Sequence, residues 1–308
     1  MIMYKIPDIP SPKADINEIA DFVEIQCIKD KSVSARKIFS SLDILSDHRY
    51  EDGVPEDDEL EPIIVDTFNE IDRRGQLCGT RYPFEIGTHG HVVKTNDALD
   101  ETGREIYTFL LFATRNDMNS QRIKKNIDGS LLFEELAEHV GKHYFGERAE
   151  SFLFGTASQG KNFSEKIESL TKQLREGSGL TTRKQTSLNT SKDDGLDVVV
   201  WKSFADGYCG KLIGFGQCKT GTYWKNHLTI VRPDSFCKKW FKQPLAVDPV
   251  RLFFISESIL RHKWYEYSTE CGILFDRCRI MDYLPENLPP SFLKRVKTWN
   301  RAIIKENL

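Results

Sequence analysis

Three polar residues stand beside the most apolar stretches of this chain: Asp197 ahead of Val198, Val199, Val200 and Trp201, and Gln217 and Lys219 closing the run Leu212, Ile213, Gly214, Phe215, Gly216. A carboxylate and an amide oxygen are hard donors, suited to a Mg²⁺ ion that keeps several waters and leans on a substrate phosphate. An amine beside them can orient a water or stabilise developing charge. Gln217 and Lys219 flank Cys218, so on a strand they share one face while Cys218 takes the other. The bland explanation is that Asp197 caps a turn and that Gln217 and Lys219 mark where a strand surfaces. If the two runs pair as antiparallel neighbours through the turn "KSFADGYCGK", we expect Asp197 and Gln217 near opposite ends of the hairpin. A bulge or strong twist at Gly214 or Gly216 would then bring them together.

The elements that would position these residues alternate along the second part of the chain. Helical spacing in "SLLFEELAEHVGKHYFG" puts Phe133, Leu136, Ala137, Val140 and Tyr144 on one apolar face, with Glu134 on its flank and Glu135 nearly opposite. The strand "SFLFGTA", the helix "NFSEKIESLTKQLRE" and the polar loop "GSGLTTRKQTSLNTSKDD" follow. Then come the two strands already described, a mixed segment, and the strands "RLFFIS" and "GILFDRCRIMDYL". This order predicts a mixed sheet flanked by helices. Upstream, "INEIADFVEIQCI", "SVSARKIFSSLDIL" and "DDELEPIIVDTFNEIDRRG" read as helices, and "YPFEI", "HGHVVKT" and "IYTFLLFAT" as strands. The expected fold class is therefore α/β (α+β), with a mostly helical domain over 1–117 and a mixed-sheet domain over 118–308.

The pattern "DDGLDVVV…GFGQCKTG", preceded by the glutamate helix "LLFEELAEHV", resembles the core of the PD-(D/E)XK nuclease superfamily. It resembles the variant with glutamine in place of the second acid, as in the Mrr-like restriction endonucleases. The resemblance covers about residues 128–285, and the helix, three strands, helix and strand come in the family's order. The helix at 162–176 is extra. The resemblance implies that Asp197, Gln217 and the backbone carbonyl of Cys218 hold Mg²⁺, with Mn²⁺ as a substitute. It also implies that Lys219 positions the attacking water and that Glu134 supports the metal or the water network. The implied activity is hydrolysis of DNA phosphodiester bonds to 5′-phosphate and 3′-hydroxyl ends, as the effector of a bacterial anti-phage or anti-plasmid defence. An RNase on the same core, or a catalytically idle nucleic-acid-binding protein, are the alternatives.

Charge supports a polyanion partner for one half. Residues 1–120 hold 13 Lys and Arg against 24 Asp and Glu, a balance of −11, whereas the remainder holds 30 against 22, a balance of +8. Two segments concentrate the cations. Residues 161–192 include Lys161, Arg183, Lys184 and Lys192, and residues 219–242 include Lys225, Lys238 and Lys239, interleaved with Tyr223, Trp224, Trp240 and Phe241. The second segment is equally the pattern of a solvated amphipathic helix. The acidic N-terminal domain is a poor DNA binder by charge, so a sensor or ATPase partner, or a second copy of the chain, is expected there.

Other constellations are weaker. "GTASQGKN", Gly155 to Asn162, approaches the phosphate-binding loop G-x-x-x-x-G-K-[ST], but Asn162 stands where the Mg²⁺-ligating hydroxyl should be. In "HVGKH", His139 and His143 lie one helical turn apart without the glutamate a zinc protease needs, and "HGHVV" offers His89 and His91 with no third ligand. The seven cysteines form no C-x-x-C pair, which fits a reducing compartment better than a disulfide framework. The N-terminal stretch turns acidic and proline-bearing too early for a signal peptide, and no run approaches the roughly 18 apolar residues of a membrane span. A cytoplasmic protein is expected.

Overall fold

A computed structural model describes residues 3–11, 14–42, 61–87, 92–96, 100–155, 162–181 and 194–308. The N-terminal part contains helices α1 (Ile16–Asp30), α2 (Ala35–Ser41), α3 (Glu61–Cys78) and α4 (Glu101–Arg115), with short strands β1 (Ser32–Ser34), β2 (Phe84–Ile86) and β3 (Val92–Thr95). The strands form a small antiparallel sheet in the order β1-β3-β2. A two-residue ladder, β4 (Ile123–Lys124) and β5 (Ile127–Asp128), leads into α5 (Gly129–Phe145). The chain continues through β6 (Ala149–Leu153), α6 (Phe163–Leu174), β7 (Val198–Lys202), β8 (Leu212–Lys219), α7 (Pro233–Trp240), β9 (Val250–Ile255), α8 (Trp264–Cys271), β10 (Ile273–Phe275), α9 (Arg277–Asp282) and α10 (Pro290–Asn307).

Five strands make one mixed sheet in the order β10-β9-β8-β7-β6. The strand β7 runs antiparallel to both its neighbours, while β8, β9 and β10 are mutually parallel. Alternation divides the sheet's side chains between two layers. Val198, Val200, Leu252 and Phe254 pack against Phe133, Leu136 and Val140 of α5, and Val199, Trp201, Ile213 and Phe215 pack against α6 and α7. The molecule is mixed α/β with helices on both faces of its main sheet.

Four expectations are corrected. "IYTFLLFAT" is not a strand but the body of α4, where Ile106, Tyr107 and Phe109 through Ala113 are all fully buried. A helix buried on every side loses the apolar-polar period that would distinguish it from a buried strand. Its start is set by Asp100, which accepts from Thr102 N and Gly103 N. "GILFDRCRIMDYL" gives only three strand residues, because Asp276 accepts from Arg279 N and caps α9. In "SVSARKIFSS", the first three residues form β1 and Ser34 caps α2. Finally, Asp197 and Gln217 do not lie at opposite ends of the hairpin. Val198 pairs with Gly216 and Asp197 N also donates to Gly216 O, so two residues at the β7 entry face one residue of β8 and Asp197 stands beside the end of β8.

The apolar core is continuous from the N-terminal helices to α9 and α10, so residues on both sides of position 117 share it. Within it lies a buried ion cluster. Asp21 of α1 receives Arg74 Nη1 at 2.7 Å, Arg115 Nε at 2.6 Å and Arg277 Nη1 at 2.8 Å, from α3, α4 and α9 respectively. Glu24 accepts the hydroxyls of Tyr82 and Tyr107 at 2.7 and 2.9 Å. Burial alone would raise the Asp21 pKa, but the three guanidiniums outweigh it and hold the carboxyl far below its ordinary range. Part of the N-terminal acidity is therefore internal and neutralised, not a repulsive surface.

Candidate active site

The β7 entry is a left-handed turn: Asp194 has φ 47° and Gly195 φ 76°. A Cβ on Gly195 would also meet Ile230 Cγ2 at 2.5 Å, so this position requires glycine. The turn delivers Asp197 with its backbone clamped on two sides. Its N–H donates to Gly216 O at 2.9 Å, and its carbonyl accepts from Phe154 N and Gly155 N at 2.8 and 2.9 Å. The side chain is fixed as well, with Oδ2 accepting from Cys218 N at 2.8 Å.

Glu134 approaches from α5, a helix started by Asp128, which accepts from Ser130 N. Only 7% of Glu134 is exposed, whereas Glu135 turns outward and binds Arg295 at 2.6 Å, which agrees with their helical phases. Glu134 Oε2 and Asp197 Oδ1 lie 2.8 and 3.0 Å from the point where a Cβ on Gly155 would sit. Glycine at 155 thus keeps a space between α5 and β7 into which two carboxylates converge.

Glu134 and Asp197 also line a cleft of about 340 Å³, together with Cys218 and Lys219. Gln217 does not. It is 1% exposed, and with its amide turned so that the nitrogen meets His227 O at 3.2 Å and the oxygen meets Lys219 Nζ at 3.3 Å, the side chain bridges two neighbours. The Cys218 backbone faces the edge that Asp197 occupies, since Gly216 O, two residues earlier, accepts from Asp197 N. The Cys218 carbonyl therefore points along the same edge as the N–H held by Asp197. The Cys218 thiol is pushed well up by burial and then by the charges of Asp197 and Glu134, which favours its neutral form.

The cleft wall also includes Lys5, Arg122, Ser130 and His227, none of them singled out from the sequence. Burial lowers the Lys5 pKa from its ordinary value, opposed by the charge of Asp117. Burial and then Lys219 lower that of His227, favouring the neutral ring. The predicted nucleic-acid residues are dispersed. Lys225 sits over the Trp224 ring beside the cleft, Lys238 pairs with Asp234, and Lys239 pairs with Asp194 at 2.6 Å. Lys161, Arg183, Lys184 and Lys192 lie outside the described residues, as do His89 and His91. Of the interleaved aromatics, Trp224, Trp240 and Phe241 are core residues, and Tyr223 alone is exposed, at 57%.

Asn162 has a local task. It accepts from Glu165 N at 2.9 Å while its own N–H donates to Glu165 Oε2, a reciprocal cap that starts α6. The half-buried His139 packs edge-on against Phe292, and partial burial lowers its pKa. Among the described residues, no group of three or more His, Cys, Asp or Glu side chains could hold a metal ion, and no helix is long and apolar enough to cross a membrane. No protein-family model, curated protein or solved structure matches this chain.

Proposed function

We propose that this protein is a metal-dependent phosphodiesterase that cuts DNA, on a core of the restriction-endonuclease type. The observation that carries the reading is the convergence of Glu134, Asp197, the Cys218 backbone and Lys219 on one cleft, from α5 and the open end of the β7–β8 hairpin. The succession α5, β6, β7, β8, α7, β9 also supports it, with α6 as the one inserted helix.

The donors present fit a hard cation. Two carboxylates and a backbone carbonyl would fill part of a Mg²⁺ shell and leave the remainder to waters and a phosphate oxygen, the arrangement this ion prefers. Glu134, Asp197 and the Cys218 carbonyl would hold it, and Gln217 would join only by releasing Lys219. When bound, the ion supplies Lewis-acid polarisation of the phosphoryl oxygen and a more acidic water.

The chain's own residues supply positioning and charge. Lys219 Nζ, oriented by the Gln217 amide, holds the attacking water or the developing negative charge at phosphorus. Water oxygen bonds to phosphorus as the bond to the 3′ oxygen breaks. The water gives up a proton and the leaving oxygen gains one, yielding 5′-phosphate and 3′-hydroxyl ends. Asp197 is kept rigid by the Cys218 N–H, so its second oxygen faces the cleft. By the resemblance, we place the enzyme as the effector of a bacterial defence system, triggered through a sensor or ATPase partner.

The test is incubation of the full chain with plasmid and with RNA, in Mg²⁺, in Mn²⁺ and in EDTA. The proposal expects DNA cleavage that EDTA abolishes and either metal restores. Preferential cleavage of RNA would move the substrate class, and full cleavage in EDTA would contradict the metal's role.

A further inference from the structure

The cleft has a second wall that comes from the N-terminal part of the chain. Three carbonyls at the end of α4 bind it in place: Ala113 O accepts from Gly221 N, Arg115 O from Ile6 N, and Asn116 O from Lys5 Nζ. Helix C-terminal carbonyls lack partners within the helix and favour a cation nearby. Here they are satisfied by the two strips of chain that border the cleft. Tyr4 N is also anchored, to Glu18 Oε1 at 2.8 Å, so Lys5 is carried on a pinned segment. Arg122 is pinned too, with its carbonyl accepting from Gly129 N and Trp299 Nε1, both at 2.9 Å. One guanidinium N–H meets Asp128, and the side chain remains 47% exposed.

Lys5 and Arg122 thus face the same space as Glu134, Asp197 and Lys219, and Tyr223 adds a 57% exposed ring to it. At about 340 Å³, the cleft is near the lower end of the range for small-ligand sites, about 300–1,000 Å³. Fixed cations with an exposed aromatic are the groups that bind a polynucleotide whose bases are unstacked, cations meeting phosphates and the ring meeting a base face. In a duplex those faces are covered by neighbouring base pairs.

Resting on the nuclease reading of the same cleft, we infer that it receives an unpaired DNA strand, with Lys5 and Arg122 on phosphates flanking the scissile one and Tyr223 stacked on a base. The N-terminal segment then completes the substrate site. Preferred substrates are single strands, flaps or locally melted duplex.

The test measures binding of a fluorescent oligo-dT strand and a duplex of equal length to the full chain in EDTA, over a salt series. Lys5→Gln, Lys5→Arg, Arg122→Gln and Tyr223→Ala are compared, with Lys37→Gln as a charge control away from the cleft and thermal midpoints as a check on folding. Each lost phosphate contact should reduce the salt slope of log K by about 0.7 for a single strand. Lys5→Gln and Arg122→Gln should show this, and Lys5→Arg and Lys37→Gln should keep the parent slope. Tyr223→Ala should weaken single-strand binding about tenfold. Equal affinity for strand and duplex, or parent slopes in both glutamine variants, overturns the inference. Plasmid and single-strand cleavage in Mg²⁺ by the same proteins separates it from the wider reading. A parent that cuts, with Lys5 and Arg122 variants bound and salt-dependent as the parent, removes only the inference. Charge-dependent strand binding without any cleavage supports this site and removes the nuclease.

Discussion

Lys219 and Gln217 form a unit in which the amide fixes the ammonium, and this sets what each substitution should do. Lys219→Ala should lower single-turnover cleavage by about 10²-fold or more while leaving DNA affinity close to that of the parent, the scale for one positioned catalytic group. Gln217→Leu keeps the volume and removes the acceptor at 3.3 Å from Nζ, so an intermediate loss of about tenfold is expected, again in rate more than in affinity. Gly155→Ala tests the carboxylate pair separately, because its Cβ would sit 2.8 Å from Glu134 Oε2 and 3.0 Å from Asp197 Oδ1. Direct Mn²⁺ binding by calorimetry should weaken in that variant. Unchanged Mn²⁺ affinity would argue against a metal between these two residues.

At the scale of elements, α5 and α6 were legible from a helical period and a capping residue at the start, and β6, β7, β8 and β9 from short apolar runs bounded by turn residues. The run Ile106–Thr114 was not, since complete burial removes the polar side of the pattern and leaves only Asp100 as a sign of helix. The hairpin register was accessible in principle: in an antiparallel pair, the start of one strand faces the end of the next, and this brings Asp197 to the end of β8. Lys5 and Arg122 could not be found by local pattern, because only the packing of α4 against the cleft carries them to residues far away in sequence. The near phosphate-loop at Gly155–Asn162 offers a test at this scale. As Asn162 caps α6, Asn162→Ala should lower stability by about 1 kcal/mol, with cleavage near the parent rate and no ATP binding in either protein. Loss of activity without loss of stability would favour a role at the site.

At the scale of the molecule, the buried ion cluster ties α1, α3, α4 and α9 into one body. Residues 118–308 alone would expose Arg277 and the apolar faces of α9 and α10, so that fragment should not fold independently, as judged by circular dichroism and amide exchange. Asp21→Asn removes the shared partner of three guanidiniums and should destabilise by about 3–5 kcal/mol, the scale for breaking a buried pair from one side. The pH dependence has a definite sign. The Asp21 carboxyl is depressed in the folded state relative to about 3.9 in the unfolded chain, so its stabilisation is present above that value and is lost as pH falls below it. Glu70 acts in the same direction: burial raises its pKa, but Arg74 and Arg73 lower it further. Denaturation followed from pH 7 downward should show a steep acid limb in the parent and a shallower one in Asp21→Asn.

The central claim is that the carboxylates at the open end of the β7–β8 hairpin hold a metal that cuts DNA. Its most direct test is single-turnover DNA cleavage by the parent and by Asp197→Asn, with Mg²⁺ and with EDTA, on protein whose folding has been verified. Asp197→Asn keeps the shape and an oxygen acceptor for the Cys218 N–H while removing the charge. Cleavage by the parent in Mg²⁺ only, with none detectable from Asp197→Asn, is the predicted result. Cleavage by Asp197→Asn at the parent rate, or by the parent in EDTA, would contradict it.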